Sequence, residues 1–260
     1  MNAGRSAGLV IDDLTIRYGG AVAVSGLSVD APVGLLTGLI GPNGAGKTTT
    51  FNACSGLLKP SEGRVHLFGE DVSGLGPSVR ARRGLGRTFQ RMHLFDSLTV
   101  EQNVALGREA AMAGGSPLRQ ILCTARDRQV IAAARDEAVE LCGLAELAGR
   151  RVGSLSTGQR RLVELARVLA GDFRFLLLDE PSSGLDRSET ERFGDILREV
   201  LARRDIGILL VEHDMDLVMR ICDQIYVLDF GQLIFAGSPA DVQRSEIVRA
   251  AYLGSEAAVV

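Results

Sequence analysis

The run Gly41-Pro42-Asn43-Gly44-Ala45-Gly46-Lys47-Thr48 places an amine and a hydroxyl directly after a glycine-rich stretch. Glycines let the backbone curl so that successive N–H groups point inward, and a ring of such donors cradles phosphate oxygens. The spacing is G-x-x-x-x-G-K-[ST], in which the ammonium bridges the outer phosphates and the hydroxyl holds Mg²⁺. Lys47 and Lys59 are the only lysines; the other basic residues are arginine. A lysine kept at position 47 in such a chain argues that a planar guanidinium would not serve there. The bland alternative is a strand-to-helix turn with no ligand. The chemistry favoured is binding of a magnesium nucleotide, ATP.

A second centre lies far along the chain. Phe173-Arg174-Phe175-Leu176-Leu177-Leu178-Asp179-Glu180 is an apolar run ending in two adjacent carboxylates. Asp179 is placed to reach Mg²⁺, and Glu180 to orient and polarise an attacking water. Alone, such a pair is more often a solvated strand end. Beside a phosphate loop the catalytic reading prevails.

These groups need elements to hold them. Leu35–Ile40 is a continuous apolar run leading into Gly41, and Phe173–Leu178, Ile206–Val211 and Ile225–Leu228 are runs of the same kind. Short runs like these predict strands buried on both faces of a parallel sheet, and the helical patterns between the later ones predict βαβ units. Ligands of such sheets bind at the carboxyl ends of the strands, where Lys47 and Asp179 both fall. The helix after the loop, Thr48 to about Gly56 with Thr49 in its first turn, aims its positive end at the same charge. Near the N-terminus, Val10–Tyr18 and Ala21–Val29 flank Gly19-Gly20 and predict a hairpin. Leu162, Leu165, Ala166 and Leu169 share one helical face, and Ser188 with Glu191 reads as a capping box opening a further helix. From about Glu101 to Arg151 the pattern is two or three helices, interrupted at Gly114-Gly115-Ser116-Pro117, and reads as an inserted lobe.

Composition narrows the class. With 46% hydrophobic and 23% charged residues the 260-residue chain has the profile of a folded domain, and no apolar run approaches the ~20 residues that span a bilayer. Residues Met1–Gly8 carry no hydrophobic signal segment, so nothing there directs export. The net charge of −3 and the absence of Trp disfavour a nucleic-acid partner. Cys54, Cys123, Cys142 and Cys222 have no metal-ligand spacing and read as reduced packing residues.

Several motifs in one order resemble the ATP-binding subunit of an ABC transporter. Leu155-Ser156-Thr157-Gly158-Gln159 resembles that family's signature, Gln90 its Q-loop, Ser183-Gly184-Leu185-Asp186 its D-loop, His213 its switch histidine, and Tyr18 its adenine-stacking aromatic. The match runs from about Val10 to Gly254. It implies an α/β fold of the P-loop NTPase, ABC ATPase type: a mainly parallel core sheet, an N-terminal antiparallel β-subdomain and a helical lobe. The chain would be one such domain over 1–260, with its core at approximately 1–90 and 171–260 and its helical subdomain at approximately 91–170. Carried over, Glu180, His213 and Gln90 are catalytic. Tyr18, Gly41 to Thr49, Ser156, Gly158, Gln159 and Asp186 bind nucleotide; Thr48, Gln90 and Asp179 hold the metal. Ser156 with its helix N-terminus is an anion site facing the γ-phosphate of an opposite subunit, or else an ordinary N-cap. His213 could donate to the γ-phosphate, Gln90 could contact Mg²⁺ or the attacking water, and Asp186 either joins the site or simply begins the next helix. Thr157 departs from the commoner glycine, which bears on how tightly two subunits close.

A finer resemblance is to the larger ATPase subunit of branched-chain amino acid importers. The importer group rests on Arg87–Val104, Val211–Met219 and Ala251-Tyr252-Leu253-Gly254, a pattern that urea and short-chain amide importers share in large part, and the larger subunit on the long stretch between Val104 and Arg151. It implies ATP and Mg²⁺ as cofactors and transmembrane permease subunits as partners. It also implies a second ATPase subunit, identical or different, and indirectly a periplasmic or extracellular solute-binding protein. The location would be cytoplasmic, on the inner face of the cell membrane. Met92, Leu94, Phe95 and Leu98 either form a partner surface or pack inside the lobe. Arg80, Arg82, Arg83, Arg87 and Arg91 are expected to form a solvated face, or to meet lipid head groups or partner carboxylates. The rival readings are a soluble ABC ATPase acting on nucleic acid or ribosomes, and a regulatory protein that hydrolyses nothing.

Overall fold

The computed structural model describes residues 7–88, 93–113 and 124–256. Gln90, Arg91, Met92, Cys123 and the break at Gly114–Pro117 lie outside the described residues. Strands β1 (Gly8–Tyr18) and β2 (Ala21–Pro32) form the hairpin expected around Gly19-Gly20. With β4 (Glu62–Leu67) and β5 (Glu70–Asp71) they make an antiparallel sheet of order β2-β1-β4-β5. A second sheet has the order β10-β9-β3-β8-β7-β6. Its strands are β3 (Leu36–Ile40), β6 (Leu85–Arg87), β7 (Phe175–Asp179), β8 (Gly207–Val211), β9 (Gln224–Asp229) and β10 (Gln232–Gly237). All its pairings are parallel except that of β9 with β10.

The continuously apolar strands are explained by two cores. Leu36, Ile40, Leu176, Leu178, Ile208 and Leu210 face one core, and Leu39, Phe175, Leu177, Leu209 and Val211 face the other. Side chains alternate along a strand, so a strand buried on both faces is apolar at nearly every position; the polar exceptions are Thr37 in β3 and Asp179 at the end of β7. The first core continues into helices α5 (Thr157–Ala170), α6 (Arg187–Arg203) and α7 (Met215–Ile221). The second is roofed by the antiparallel sheet and by Phe51, Ala53 and Cys54 of α1 (Lys47–Ser55). Helices α3 (Val100–Ala113) and α4 (Ala125–Leu141) pack on each other and on α5. A short α2 (Pro77–Arg82) precedes β6, and α8 (Pro239–Arg244) and α9 (Glu246–Glu256) follow β10. Cys54, Cys142 and Cys222 are buried free thiols, and burial pushes each up to about 12.

Two expectations are corrected. Helix α6 is opened by Asp186, not Ser188: the Asp186 carboxylate accepts from Glu189 N–H at 2.8 Å, and the Glu189 carboxylate accepts from Asp186 N–H at 3.1 Å. Ser188 sits inside the first turn and donates to the Asp186 carboxylate. Aspartate and serine are comparable caps, so the start of the helix at Arg187 decides between them. The arginine run is not one solvated face. Arg82 and Arg83 are exposed, and Arg83 pairs with Glu70. Arg80 is 1% exposed and donates to the carbonyls of Ala53 and Cys54 (both 2.6 Å), Leu75 (2.9 Å) and Ser73 (3.2 Å). Arg87 is likewise internal. A single run of sequence spans a helix, its exit and a strand, so its members cannot share a face. The apolar set also divides: Leu94 packs on the first core, whereas Phe95 is 56% exposed.

Arg80 satisfies carbonyls at the C-terminal end of α1 that helix geometry leaves without partners. Arg80→Met keeps the aliphatic stem and removes every donor. The expected result is a loss of about 3 kcal/mol in urea denaturation; an unmoved midpoint would show those contacts to be dispensable.

Candidate active site

The loop between β3 and α1 is built to present N–H groups. Gly46, the N-cap of α1, is left-handed (φ 97°) and supplies no side-chain cap. A side chain there would be strained and would approach the Ala23 carbonyl at 2.8 Å. The first-turn N–H groups of α1 therefore face an anion site. Lys47 is 6% exposed, and its ammonium donates to the carbonyls of Gly41 (2.6 Å) and Pro42 (2.9 Å). Burial lowers its pKa, and the fields of Glu180 and Asp179 partly oppose that fall. Ala45 is buried, Pro42, Gly46 and Thr49 are half-buried, and Asn43, Gly44 and Thr48 are exposed.

Asp179 ends β7 and is held through both its side chain and its backbone. Its carboxylate accepts from Arg87 at 3.1 Å, and its N–H donates to the Thr88 hydroxyl at 3.2 Å. Arg87 also donates to the Asn52 side chain (2.9 Å) and the Ser55 hydroxyl (2.6 Å) of α1. Burial pushes the Asp179 pKa up, and Arg87 pulls it back down. The next residue, Glu180, is left-handed (φ 48°), a conformation that costs a non-glycine residue about 1–2 kcal/mol. The surroundings impose it: Glu180 N–H donates to the Val211 carbonyl at 2.9 Å. Its carboxylate meets His213 Nε2 at 2.6 Å. Asp179, Glu180 and His213 thus lie at the carboxyl ends of the neighbouring strands β7 and β8, beside the loop that follows β3.

The remaining residues gather elsewhere. The Ser156 hydroxyl accepts from Gln159 N–H at 3.2 Å, and the Gln159 side chain accepts from Ser156 N–H at 3.1 Å. Within this chain Ser156 and Gln159 therefore cap α5, as Asp186 and Glu189 cap α6. The two helix starts abut: a Cβ on Gly158 would lie 2.2 Å from the Glu189 carboxylate, and the Thr157 methyl lies against Gly184. Tyr18, at the hairpin tip opposite Ala21, is 52% exposed rather than packed on the sheet. Gln90 lies outside the described residues.

The donor set fits a metal carried in on phosphates. Among the described residues no group of three or more His, Cys, Asp or Glu could hold an ion. Magnesium bound with a nucleotide needs only one or two protein oxygens, such as Thr48 and Asp179.

Residues 24–183, spanning the loop and both carboxylates, match the family described as ABC transporter. The chain belongs to the ABC transporter family. Residues 232–258 match a further description, branched-chain amino acid ATP-binding cassette transporter. The chain is 37% identical, over 95% of its length and 97% of the relative's, to the high-affinity branched-chain amino acid transport ATP-binding protein LivG of Salmonella typhimurium. It is 36% identical over the same shares to BraF of Pseudomonas aeruginosa, which carries the same description. Among solved structures it resembles the ADP conformation of MJ1267, an ATP-binding cassette of an ABC transporter. The TM-score is 0.83 and the identity 30%, over 95% of this chain and 98% of that one. Like these cassettes, the chain binds nucleotide and is an ATPase.

Sequence reasoning on this ABC transporter chain missed two residues. Arg87 does not belong to a solvated arginine face but is the partner of Asp179. Glu212 went unread, although it follows the apolar run of β8 as Asp179 ends that of β7. A charge at the end of a buried strand was the signal in both cases.

The contact of Gly158 with Glu189 has a measurable consequence. Gly158→Ala forces the Glu189 carboxylate out of its capping box, whereas in a Glu189→Ala background the added methyl has room and favours helix. The expected coupling in a double-mutant denaturation cycle is about 1 kcal/mol. Equal effects of Gly158→Ala in both backgrounds would remove the contact from consideration.

Proposed function

We propose that this chain is the ATP-hydrolysing subunit that energises an importer of branched-chain amino acids, working with Mg²⁺. The observation that carries the reading is the convergence of Lys47, Asp179, Glu180 and His213 at one edge of the sheet. The relatives' shared description and the match at residues 232–258 support the solute class.

The residues divide the work as follows. The loop from Gly41 to Gly46 and the start of α1 cradle the phosphates through N–H groups, and Lys47 bridges the outer two. Thr48 and Asp179, with Gln90, would hold Mg²⁺, which neutralises charge on the phosphate oxygens when bound. Glu180 accepts a hydrogen bond from the attacking water and orients it toward the γ-phosphorus, as the bond to the bridging oxygen breaks. His213, set by its contact with Glu180, donates to the γ-phosphate. Tyr18, exposed at the hairpin tip, stacks on the adenine.

Ser156, Gly158, Gln159 and Asp186 complete the site of a second ATPase subunit across a two-fold axis. That their cluster is built around two adjoining helix starts, and not around Lys47, supports a trans role. The helical subdomain at approximately 91–170, with Phe95 exposed, receives the transmembrane permease. A solute-binding protein outside the membrane delivers solute to that permease, and nucleic acid is no partner. The chain itself has no helix among the described residues long and apolar enough to cross a membrane. It would sit on the cytoplasmic face through the permease.

Two variants test this. Lys47→Ala should weaken ATP binding at least about 100-fold by titration calorimetry; unchanged affinity would remove the phosphate-loop reading. Glu180→Gln should bind Mg-ATP, turn over at about 1% of the wild-type rate or less, and double its mass by light scattering when Mg-ATP is added. Near-normal hydrolysis would sink the water-orienting role. A variant that binds ATP yet stays monomeric would assign the missing half to a different ATPase chain or to the membrane subunits.

A further inference from the structure

Glu212 follows β8, is 2% exposed, and has no role in the proposed mechanism. One carboxylate oxygen accepts from Ser182 N–H at 2.8 Å, and the other from His213 N–H at 3.0 Å. The Ser182 hydroxyl and the Asp214 N–H also face it. Burial raises its pKa and these donors oppose the rise, so a ring of N–H and O–H donors compensates for taking the carboxylate out of water.

The two segments it joins are those that leave β7 and β8 carrying Glu180 and His213. A closed circuit results. From the Glu180 carboxylate it runs to the His213 ring at 2.6 Å, along the His213 backbone to Glu212, across to Ser182, and back through Pro181 to Glu180. Glu180 is held left-handed and precedes Pro181, which disfavours the right-handed helical conformation for it. Its torsion therefore depends on what anchors the turn beyond it, and Glu212, through Ser182, adds a side-chain anchor to the turn's own backbone bonds.

We propose that Glu212 is a positioning residue for ATP hydrolysis, fixing the distance and orientation between the Glu180 carboxylate and the His213 ring. This rests on the reading of Glu180 and His213 given above. The carboxylate is suited to the task because both oxygens accept. Glutamine, of the same shape, keeps one acceptor and turns an NH₂ group against an N–H, so half of the staple is lost at constant volume.

The test compares Glu212→Gln with wild type and Glu180→Gln in the full-length chain. Glu212→Gln is expected to leave Mg-ATP affinity within about twofold and to lower kcat by about 10- to 100-fold, the cost of misplacing a reacting group by a fraction of an ångström to one ångström. The NMR ring signal of His213, one of three histidines and identified by its loss in His213→Ala, should shift in Glu212→Gln at constant pH. A residue that only supports the fold would lower the melting temperature and leave kcat per folded molecule and the ring signal unmoved; that result overturns the proposal. Should Glu212→Gln fail to fold, Glu212→Asp, which keeps the charge but withdraws it by one methylene, is judged by the same readouts. If Glu180→Gln loses turnover while Glu212→Gln does not, the positioning role alone fails. If Glu180→Gln keeps turnover, the reading of Glu180 fails first.

Discussion

Lys47, Arg87, Asp179 and Glu212 bring four charges into the interior at the carboxyl edge of the parallel sheet. A charge taken out of water is tolerated only where opposite charge or hydrogen-bond donors replace the lost hydration. Each of these has such replacements, some from its own loop and some from distant segments. Arg87 of β6 neutralises Asp179 of β7. Loop carbonyls receive the Lys47 ammonium. Backbone N–H groups after β7 and β8 surround Glu212. The need to satisfy these groups aligns three strand ends and one helix more tightly than apolar packing could, because hydrogen bonds have direction and hydrophobic contact does not.

Helix α1 shows the same principle along its length. Its own sequence has no acidic residue in the first turn and no basic residue in the last. Its N-terminus, opened by a left-handed glycine, is left free for phosphate. Its C-terminus is served from outside: Arg80 donates to the carbonyls of Ala53 and Cys54, and Arg87 to the Asn52 and Ser55 side chains. Two guanidinium groups at the negative end of the helix suit its dipole, while the positive end faces the ligand. Arg87 also touches Asp179, so the phosphate loop's helix and the strand bearing the metal-directed carboxylate share one side chain.

Much of this was legible in the residue order. The glycine-lysine-threonine loop, the carboxylates after Leu178 and the all-apolar strands each follow from local rules of spacing and burial. Other features escaped those rules. Strands β4, β5, β6 and β10 escape them because they are short or carry exposed residues, and β4 and β6 also pair with β1 and β7, far away in sequence. Ser188 was preferred to Asp186 as a cap because both satisfy the same pattern, and the winner depends on where the helix axis begins.

What the sequence determined by itself is the chemistry on offer: a phosphate cradle, an amine, a hydroxyl, and carboxylates ending buried strands. Those are local properties, set by residue type and by periodicities of two and 3.6. The assembled fold alone settles that Arg80 and Arg87 are internal while Arg82 and Arg83 are exposed, that Glu180 faces His213, that Gly158 must lack a side chain beside Glu189, and that Glu212 ties two loops together. Each of these depends on two segments approaching within a few ångströms. That approach is settled by how both faces of the sheet are covered, a constraint that no single stretch of the chain carries.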